Sequence, residues 1–382
     1  KMFTATDSFA LMAVPFFILA GALMESGGIS RRLVDFANAI VGRFSGGLAF
    51  VAIIACIFFG AISGSAVACV AAIGTILIPS MVRRGYDAPF STAVQACAGT
   101  LGVMIPPSIP MIIYGVMTGV TIGGLFMGGI LPGIFVGASL MLVAWFIARK
   151  RGYKGDRRAD AAHVWATFKD AILALLMPAI ILGGIYGGVF TPTEAAVVAV
   201  VYGFVIGFFV YRELRIRDLK GILVNSVVGT AMIMFIIATS SVFSWILTAQ
   251  KIPQSVAEAI LSFSRNPVVV MFLINVLLLF IGTFMETVAS IIILVPVLLP
   301  VITQLGIDPL HFGVLIVVNL AVGMVTPPLG VCLFMGCNIG NVSLEEISRA
   351  AAPFIAVMIL DIFILAYVPW ITTVLPKLAG LY

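Results

Sequence analysis

Two proline pairs inside apolar runs are the residues best placed to do chemistry in this chain. The pair at 106–107 follows Gly102, and the pair at 327–328 follows Gly323. Proline lacks a backbone N–H and clashes with the preceding turn, so these pairs predict local unwinding of a helix. Freed carbonyls cannot stay unsatisfied in hydrocarbon, and they can coordinate a desolvated cation. Because the half-helix after each break points its positive N-terminus forward, the same break also predicts anion binding.

A small polar patch interrupts each of two long apolar runs. Residues 60–65 read Gly-Ala-Ile-Ser-Gly-Ser within the run 47–82, and residues 282–287 read Gly-Thr-Phe-Met-Glu-Thr within the run 268–302. Hydroxyl and carbonyl oxygens form a weakly charged cage that suits Na⁺ better than a divalent ion demanding carboxylates. We therefore expect a Na⁺ site where each patch meets a proline break.

Each predicted site combines one patch with one break. The first Na⁺ site is predicted to comprise Ser63, Gly64, Ser65, Gly102, Val103 and Pro106. The second is predicted to comprise Thr283, Met285, Glu286, Thr287, Gly323, Val325, Thr326 and Pro328. Substrate contacts are expected from Ser65, Pro107, Ser108 and Thr287. We expect Na⁺ as the coupling ion, with no other metal and no cofactor.

Two acidic residues lie within apolar runs. Glu286 is the one acid in a polar patch, and it either binds a proton or cation or caps the N-terminus of a half-helix. Asp361 lies in the last apolar run, where it either pairs with a neighbouring helix or takes part in coupling. The sequence leaves both pairs of alternatives open.

The composition requires that these residues be positioned by membrane helices. Of 382 residues, 62% are hydrophobic and 10% are charged, and the mean hydropathy is +1.21. Successive apolar runs of about 20 residues or more indicate a polytopic helical membrane protein. The alternating segments of roughly ten residues typical of a β-barrel are absent. The formal charge of +5 comes from basic loops that orient the chain, which is no indication of a nucleic-acid partner.

The chain contains an internal duplication at a constant spacing. Asp87 and Pro107 recur as Asp308 and Pro328, and both pairs are 221 positions apart (308 − 87 and 328 − 107). Two copies of a hydrophobic unit interrupted by glycine and proline are typical of a secondary transporter built from repeats. The interruptions predict where substrate and ions bind.

Positive charges indicate that the two copies are inverted. Arg43 precedes the run 47–82, and Arg83 and Arg84 follow it. The positive-inside rule places both ends of this run in the cytoplasm, which a re-entrant hairpin satisfies and a single crossing does not. The counterpart of the two arginines at 304–305 carries no cation, so the second copy starts from the opposite face.

The sequence thus predicts an all-α polytopic membrane protein of inverted repeats, each with a re-entrant helical hairpin and a discontinuous helix. Amphipathic segments at 29–41 and 252–264 either join a moving hairpin to a static frame or are ordinary surface helices, and the sequence leaves both alternatives open. The predicted parts are a first repeat 1–148 (hairpin 47–82, broken helix 90–117), a linking part 149–221 with basic loops and two scaffold helices, and a second repeat 222–382 (hairpin 268–302, broken helix 310–340).

These motifs resemble the large membrane subunit of tripartite ATP-independent periplasmic (TRAP) transporters. They occur in order over nearly the whole chain. The matching stretches are Asp7-Ser-Phe-Ala-Leu-Met-Ala-Val-Pro-Phe-Phe-Ile-Leu-Ala-Gly21, Gly60-Ala-Ile-Ser-Gly-Ser-Ala-Val67, Ile105-Pro-Pro-Ser108, Phe190-Thr-Pro-Thr-Glu-Ala-Ala196 and Thr326-Pro-Pro328. The chain opens at Lys1 without an initiator or signal pattern, so we expect that an N-terminal segment of the family is missing.

The resemblance implies an ion-transporter-superfamily fold with transport and scaffold domains that work by an elevator mechanism. It implies a bacterial inner-membrane location and two protein partners, a small four-helix membrane subunit (Q-type) and a periplasmic substrate-binding protein. It also implies Na⁺-driven import of an organic acid such as a C4-dicarboxylate, sialic acid or a related carboxylate. In the wider superfamily, hairpin tips and unwound loops hold the Na⁺ ions.

The alternative interpretation is a stand-alone Na⁺- or H⁺-coupled carboxylate symporter of the same superfamily. Other classes lack their motifs. No Gly-x-x-x-x-Gly-Lys-Ser/Thr sequence is present for nucleotide hydrolysis. No His-Glu-x-x-His or Ser/His/Asp arrangement indicates a membrane-embedded hydrolase, so we expect no enzymatic activity.

Overall fold

The computed structural model describes residues 2–155 and 160–381, and within these ranges the chain is helical with no strand. Residues 156–159, in the predicted linking part 149–221, lie outside the described residues. A 3₁₀ turn (Phe9–Met12) precedes α2, and a π-helical turn (Ile206–Val210) follows α11. The helices are α1 (Met2–Thr6), α2 (Ala13–Ser26), α3 (Ile29–Val41), α4 (Gly47–Ser63), α5 (Ala66–Arg83), α6 (Ala88–Gly99), α7 (Leu101–Met104), α8 (Ile109–Thr118), α9 (Ile122–Arg151), α10 (Ala161–Tyr186), α11 (Pro192–Val205), α12 (Ile216–Ala249), α13 (Ile252–Phe263), α14 (Pro267–Gly282), α15 (Thr287–Gln304), α16 (Pro309–Gly323), α17 (Val331–Gly340), α18 (Leu344–Tyr367) and α19 (Trp370–Leu378).

Each long apolar run folds as two helices joined by a short tip. In the first hairpin, α4 ends where Gly64 adopts a left-handed conformation (φ 60°), and Ser65 caps the start of α5. Glycine tolerates this backbone without the steric penalty of a Cβ. In the second hairpin, α14 and α15 are joined by residues 283–286. The two hairpins confirm the fold class that the lengths and polar patches predict.

The helix after each hairpin is discontinuous, as the proline pairs predict. In the first half, α6 and the short α7 end before residues 105–108, and α8 begins after Ser108. In the second half, α16 ends at Gly323 and α17 begins only after Gly330. The peptide bond within each proline pair is cis. Helices α6, α7 and α16 are almost wholly buried, and every residue of α16 from Leu310 onward is buried, whereas most residues of α17 are partly exposed.

Helices α2, α10, α11 and α12 form a frame beside the hairpins and discontinuous helices, whereas α9 and α18 pack directly on the latter group. Helix α2 packs against α11 and α12, and α10 packs against α11. The predicted amphipathic segments are helices α3 and α13, which link the two groups. Helix α3 contacts α10 of the frame and α4 of the first hairpin, and α13 contacts α12 of the frame and α15 of the second hairpin.

Nine helices of the described chain are long and apolar enough to cross a membrane. Two of them, α10 and α12, have only 22% of their most apolar window buried against the rest of the chain. The frame therefore presents a broad apolar surface outward.

Candidate ion and substrate site

Glycines let the first hairpin tip contact the first helix break backbone to backbone. A Cβ built on Gly60 would lie 2.8 Å from the Cα of Gly102, and one built on Gly102 would lie 2.7 Å from the carbonyl oxygen of Ser65. A Cβ on Gly64 would lie 2.8 Å from the carbonyl oxygen of Pro107. The structure thus brings together the predicted residues of the tip and of the break, in a space that admits no larger side chain.

The second half repeats this contact. A Cβ built on Gly282 would lie 3.1 Å from the Cα of Gly323. The hydroxyl of Thr287 donates a hydrogen bond to the sulfur of Met324 (3.2 Å), which ties the start of α15 to the residue after α16. The predicted residues of the second tip and second break are therefore also adjacent.

Hydroxyl groups at the first site already have partners within the protein. The Ser108 hydroxyl donates to the carbonyl oxygen of Val103 (2.6 Å), which spans the proline break. The Ser63 hydroxyl lies 3.4 Å from the sulfur of Cys69 and 3.5 Å from the carbonyl oxygen of Ser65. A cation at this site would have to share or displace these contacts.

Hydroxyl groups at the second site bond back to their own helices. Thr283 donates to the carbonyl of Phe280 (2.8 Å), and Thr326 donates to the carbonyl of Val322 (2.8 Å). Both side chains can rotate toward an ion only by giving up these bonds. Met285 contributes its backbone N–H to the turn of the tip, donating to Ile281 (3.0 Å).

Glu286 caps the second helix of its hairpin. One carboxylate oxygen accepts hydrogen bonds from the backbone N–H groups of Val288 (2.7 Å) and Ala289 (3.2 Å). A carboxylate at this position satisfies orphan donors and interacts favourably with the positive helix end. Of the two roles that the sequence leaves open, the structure places Glu286 in the capping geometry.

The two proline breaks differ in exposure. Residues 106–108 are buried, whereas residues 327–329 are exposed. Val103 and Val325, which precede the breaks, are both buried. Of the two breaks, only the second is therefore open to the exterior of the chain.

Helices that begin at the breaks pack against the hairpin of the other repeat. Helix α8, which begins after the first break, packs against α15 of the second hairpin. Helix α17, which begins after the second break, packs in the same way against α5 of the first hairpin. The N-termini of these four helices follow the two tips and the two breaks, and the partial positive charge of each favours a nearby anion. In the described part of the chain, no group of three or more His, Cys, Asp or Glu residues is arranged to hold a metal ion.

The sequence does not predict a role for three buried amide side chains near the sites. Gln95, Asn275 and Asn319 have no exposed surface, and each bonds across or along the hairpins. An amide side chain within an apolar run could have indicated these residues, because burying an amide costs free energy unless it is hydrogen-bonded.

Paired hairpins and discontinuous helices that meet at glycine contacts define a secondary transporter of repeat architecture. Residues 1–371 match the family described as "Tripartite ATP-independent periplasmic transporter, DctM component". The chain belongs to this family, and it is a multi-pass protein of the inner membrane.

Relatives with 39–47% identity cover nearly the whole chain. The isethionate TRAP transporter permease protein DctMQ of Oleidesulfovibrio alaskensis is 47% identical over 96% of this chain, which spans 58% of that protein. The C4-dicarboxylate TRAP transporter large permease protein DctM of Pseudomonas aeruginosa is 42% identical over 100% of this chain and 89% of its own length. The sialic acid TRAP transporter large permease protein SiaM of Vibrio cholerae is 39% identical over 99% of this chain and 88% of its own.

A solved structure shares the fold. The YdaH transporter of Alcanivorax borkumensis, whose topology is described as unusual, superposes with a TM-score of 0.70. The match covers 97% of this chain and 87% of the YdaH chain at 16% sequence identity. At this identity the likeness concerns the fold alone.

Proposed function

We propose that this chain is the membrane permease of a Na⁺-coupled importer for an organic acid. The observation that carries the proposal is the repeated backbone contact between a hairpin tip and a helix break, Gly60 with Gly102 and Gly282 with Gly323. At such a contact, carbonyl and hydroxyl oxygens of two segments can share one desolvated cation. A Na⁺ ion would then hold each tip against its break.

The substrate is an organic anion. Four helices begin at the tips and breaks, and the carboxylate of Glu286 caps the N-terminus of one of them, α15. A bound carboxylate or sulfonate would accept hydrogen bonds from backbone N–H groups near Ser65, Pro107, Ser108 and Thr287. The relatives are named for isethionate, C4-dicarboxylates and sialic acid, and all three are anions.

An elevator motion accounts for the division into two groups of helices. The hairpins and discontinuous helices share a core, while α2, α10, α11 and α12 form the frame. The linking helices α3 and α13 join hairpin to frame on each side, and frame helices α2, α10 and α12 also contact α4 or α15 directly. The core group would slide as a body along these contacts. Binding of Na⁺ would order the tips and create the anion site, which gives positive coupling between ion and substrate.

Two further proteins complete the proposed system. One relative is named as a fused DctMQ permease, and this chain spans 58% of its length, which leaves room for a second membrane component. The exposed apolar faces of α10 and α12 offer a surface for a small membrane subunit. A soluble periplasmic binding protein would deliver the organic acid. The alternative, a stand-alone symporter, predicts uptake into vesicles without any binding protein.

The first test is the thermal stability of the purified protein, with its small partner subunit, in NaCl against KCl at equal ionic strength. A ligand at 100 times its dissociation constant stabilises the folded state by about 2.7 kcal/mol, so specific binding should raise Tm visibly. Ser65→Phe and Thr287→Phe should each abolish the Na⁺-specific rise and Na⁺-driven uptake while the protein stays folded. Thr303→Phe, at an exposed position at the other end of α15 from Thr287, is the matched control and should behave as wild type.

Equal stability of the wild-type protein in the two salts would count against Na⁺ binding. Normal Na⁺-driven uptake by both phenylalanine variants would refute the site assignment. Uptake driven by a pH gradient in the absence of Na⁺ would favour proton coupling.

A further inference from the structure

A buried amide side chain joins the second discontinuous helix to the second hairpin. The Nδ2 group of Asn319 on α16 donates to the backbone carbonyl of Asn275 on α14 (3.1 Å) and to its side-chain oxygen (2.8 Å). The Nδ2 group of Asn275 donates in turn to the carbonyl of Met271 (2.7 Å), which fixes the orientation of the acceptor. Neither asparagine has exposed surface. The link lies one helical turn before Gly323, where the hairpin tip meets the break.

The first half contains a corresponding link built from a different residue. The Nε2 group of Gln95 on α6 donates to the carbonyl of Cys69 on α5 (3.3 Å) and contacts the sulfur of Cys56 on α4 (3.2 Å). Gln95 has no exposed surface, and its side chain packs against Gly74 of α5. It therefore touches both helices of the first hairpin.

These links are alike in position and direction but not in sequence. The residue 221 positions after Gln95 is Ile316, and the residue 221 positions before Asn319 is Ala98. In each half the amide lies on the helix before the break, and its N–H group donates to the hairpin. Its oxygen has no hydrogen-bond partner within the described chain. Each half thus places a hydrogen-bond donor at the interface between hairpin and discontinuous helix. In the numbering of the duplication, the two donors lie three residues apart, about one helical turn.

Buried hydrogen-bond donors such as these help to orient packed helices within a membrane. Lipid tails are as apolar as the helices, so apolar burial does not drive helix association, and hydrogen bonds between helices supply orientation. Around the tips, the other contacts between hairpin and break described above involve glycines, apart from the hydrogen bond of the Thr287 hydroxyl to the sulfur of Met324, which is a weak acceptor. We therefore expect the amide links to contribute most to fixing the angle between hairpin and discontinuous helix.

We propose that Gln95 and Asn319 are positioning residues, each of which ties one hairpin to its discontinuous helix and holds the tip in the geometry that an ion requires. The tie itself rests on the contacts above, and its consequence for ion binding rests on the proposed function. Each hairpin then moves together with its discontinuous helix, and neither opens separately as a gate.

Hydrogen exchange of the tip amides tests the tie without any assumption about the ion. Asn319→Ala should make exchange at residues 283–286 at least about fivefold faster, the factor that corresponds to one typical hydrogen bond, and should leave residues 63–65 unchanged. Gln95→Ala should do the reverse. Val318→Ala and Val94→Ala remove buried volume next to each amide without removing a donor, and exchange at both tips should stay as in wild type.

A graded variant guards against misfolding as the cause. Asn275→Ala removes one of the two acceptors of Asn319 but leaves the backbone carbonyl, so it should give a smaller increase at residues 283–286 than Asn319→Ala. Equal acceleration at both tips in every variant, no acceleration in either amide variant, or a larger effect of Asn275→Ala would each overturn the proposal.

The Na⁺-specific rise in Tm separates this proposal from the proposed function. If wild type shows the rise, Asn319→Ala and Gln95→Ala should each reduce the rise. The valine variants should lower Tm equally in NaCl and KCl, so their Na⁺-specific rise should equal that of wild type. If wild type shows no rise, the Na⁺ proposal fails. Hydrogen exchange at the two tips still tests whether each amide holds its own hairpin to its discontinuous helix. An intact rise in both amide variants together with unchanged tip exchange would refute the positioning role.

Discussion

Ser65 and Glu286 occupy equivalent positions in the two hairpins, and each caps the helix that leaves its tip. They are 221 residues apart (286 − 65), the spacing of the internal duplication. The Ser65 hydroxyl accepts from the N–H of Ala68 (3.4 Å), and the Glu286 carboxylate accepts from the N–H groups of Val288 and Ala289. The same local function is thus performed by a neutral group in one half and by an acid in the other. The pair explains why a single acid lies at the tips.

Because capping requires an acceptor and not a charge, Glu286→Gln should be tolerated better than Glu286→Ala. Loss of an N-cap acceptor costs about 1 kcal/mol, so the alanine variant should lower Tm and the glutamine variant should lower it less. The measurement is Tm in NaCl and in KCl for both variants. If Glu286→Gln folds normally but loses the Na⁺-specific rise, the carboxylate is an ion ligand and capping is secondary.

The glycines at the breaks should not tolerate even one methyl group. In Gly323→Ala the new Cβ would lie 2.5 Å from the backbone of Gly282, which cannot rotate away, so the hairpin tip must shift. We expect loss of uptake and of Na⁺-dependent stabilisation. Gly123→Ala on α9, where the atom nearest to the new Cβ lies at an ordinary contact distance of 3.5 Å, is the matched control and should be neutral or slightly stabilising. Wild-type uptake by Gly323→Ala would show that close tip contact is not needed.

Ser108 has no equivalent in the second half, because the residue 221 positions later is Leu329. Ser108→Ala would remove the bond to the buried carbonyl of Val103 and the cap of α8. An unsatisfied buried acceptor costs about 1–3 kcal/mol, so Tm should fall in either salt. Substrate binding, measured by the further rise in Tm on adding the organic acid, should weaken as well. Leu329→Ala, at an exposed position, should leave the free energy of unfolding within about 0.5 kcal/mol of wild type and Tm nearly unchanged, and an equal effect of the two changes would contradict this assignment.

The sequence predicts the hairpins and breaks because their signals are local. A run too long for one crossing, with a polar patch in the middle, specifies a hairpin, and a proline pair after Gly102 or Gly323 specifies a break. The geometry of the site depends on contacts between distant segments. The bond between Asn319 and Asn275 and the packing of α8 on α15 join segments that are distant in the sequence. No periodic pattern within a single run of residues predicts such contacts. The role of Glu286 was undecided for a related reason, since capping and ion binding require the same carboxylate.

The linking helix α3 is fastened to the frame by Arg32. Its guanidinium donates to the carboxylate of Glu213 (2.6 Å) and to the carbonyl of Gly28 (2.8 Å), and it stacks over the ring of Tyr211 (3.7 Å from the centroid). Gly28 precedes α3 in a left-handed conformation (φ 76°), and a Cβ there would collide with the carboxylate of Glu213. A side chain at Gly28 would therefore both strain the backbone and push Glu213 away from Arg32.

We expect Gly28→Ala to destabilise the protein and to act through Glu213. The left-handed backbone alone costs a non-glycine residue about 1–2 kcal/mol, and loss of the partly exposed ion pair adds at most about 1 kcal/mol. In a double-mutant cycle followed by Tm, Glu213→Ala should cost clearly less in the Gly28→Ala background than in wild type, because the ion pair is already broken. Fully additive effects would mean that Glu213 moves aside and keeps Arg32, so that only backbone strain opposes the substitution. If attachment of α3 to the frame guides the sliding motion, Arg32→Ala should slow uptake clearly while changing Tm little.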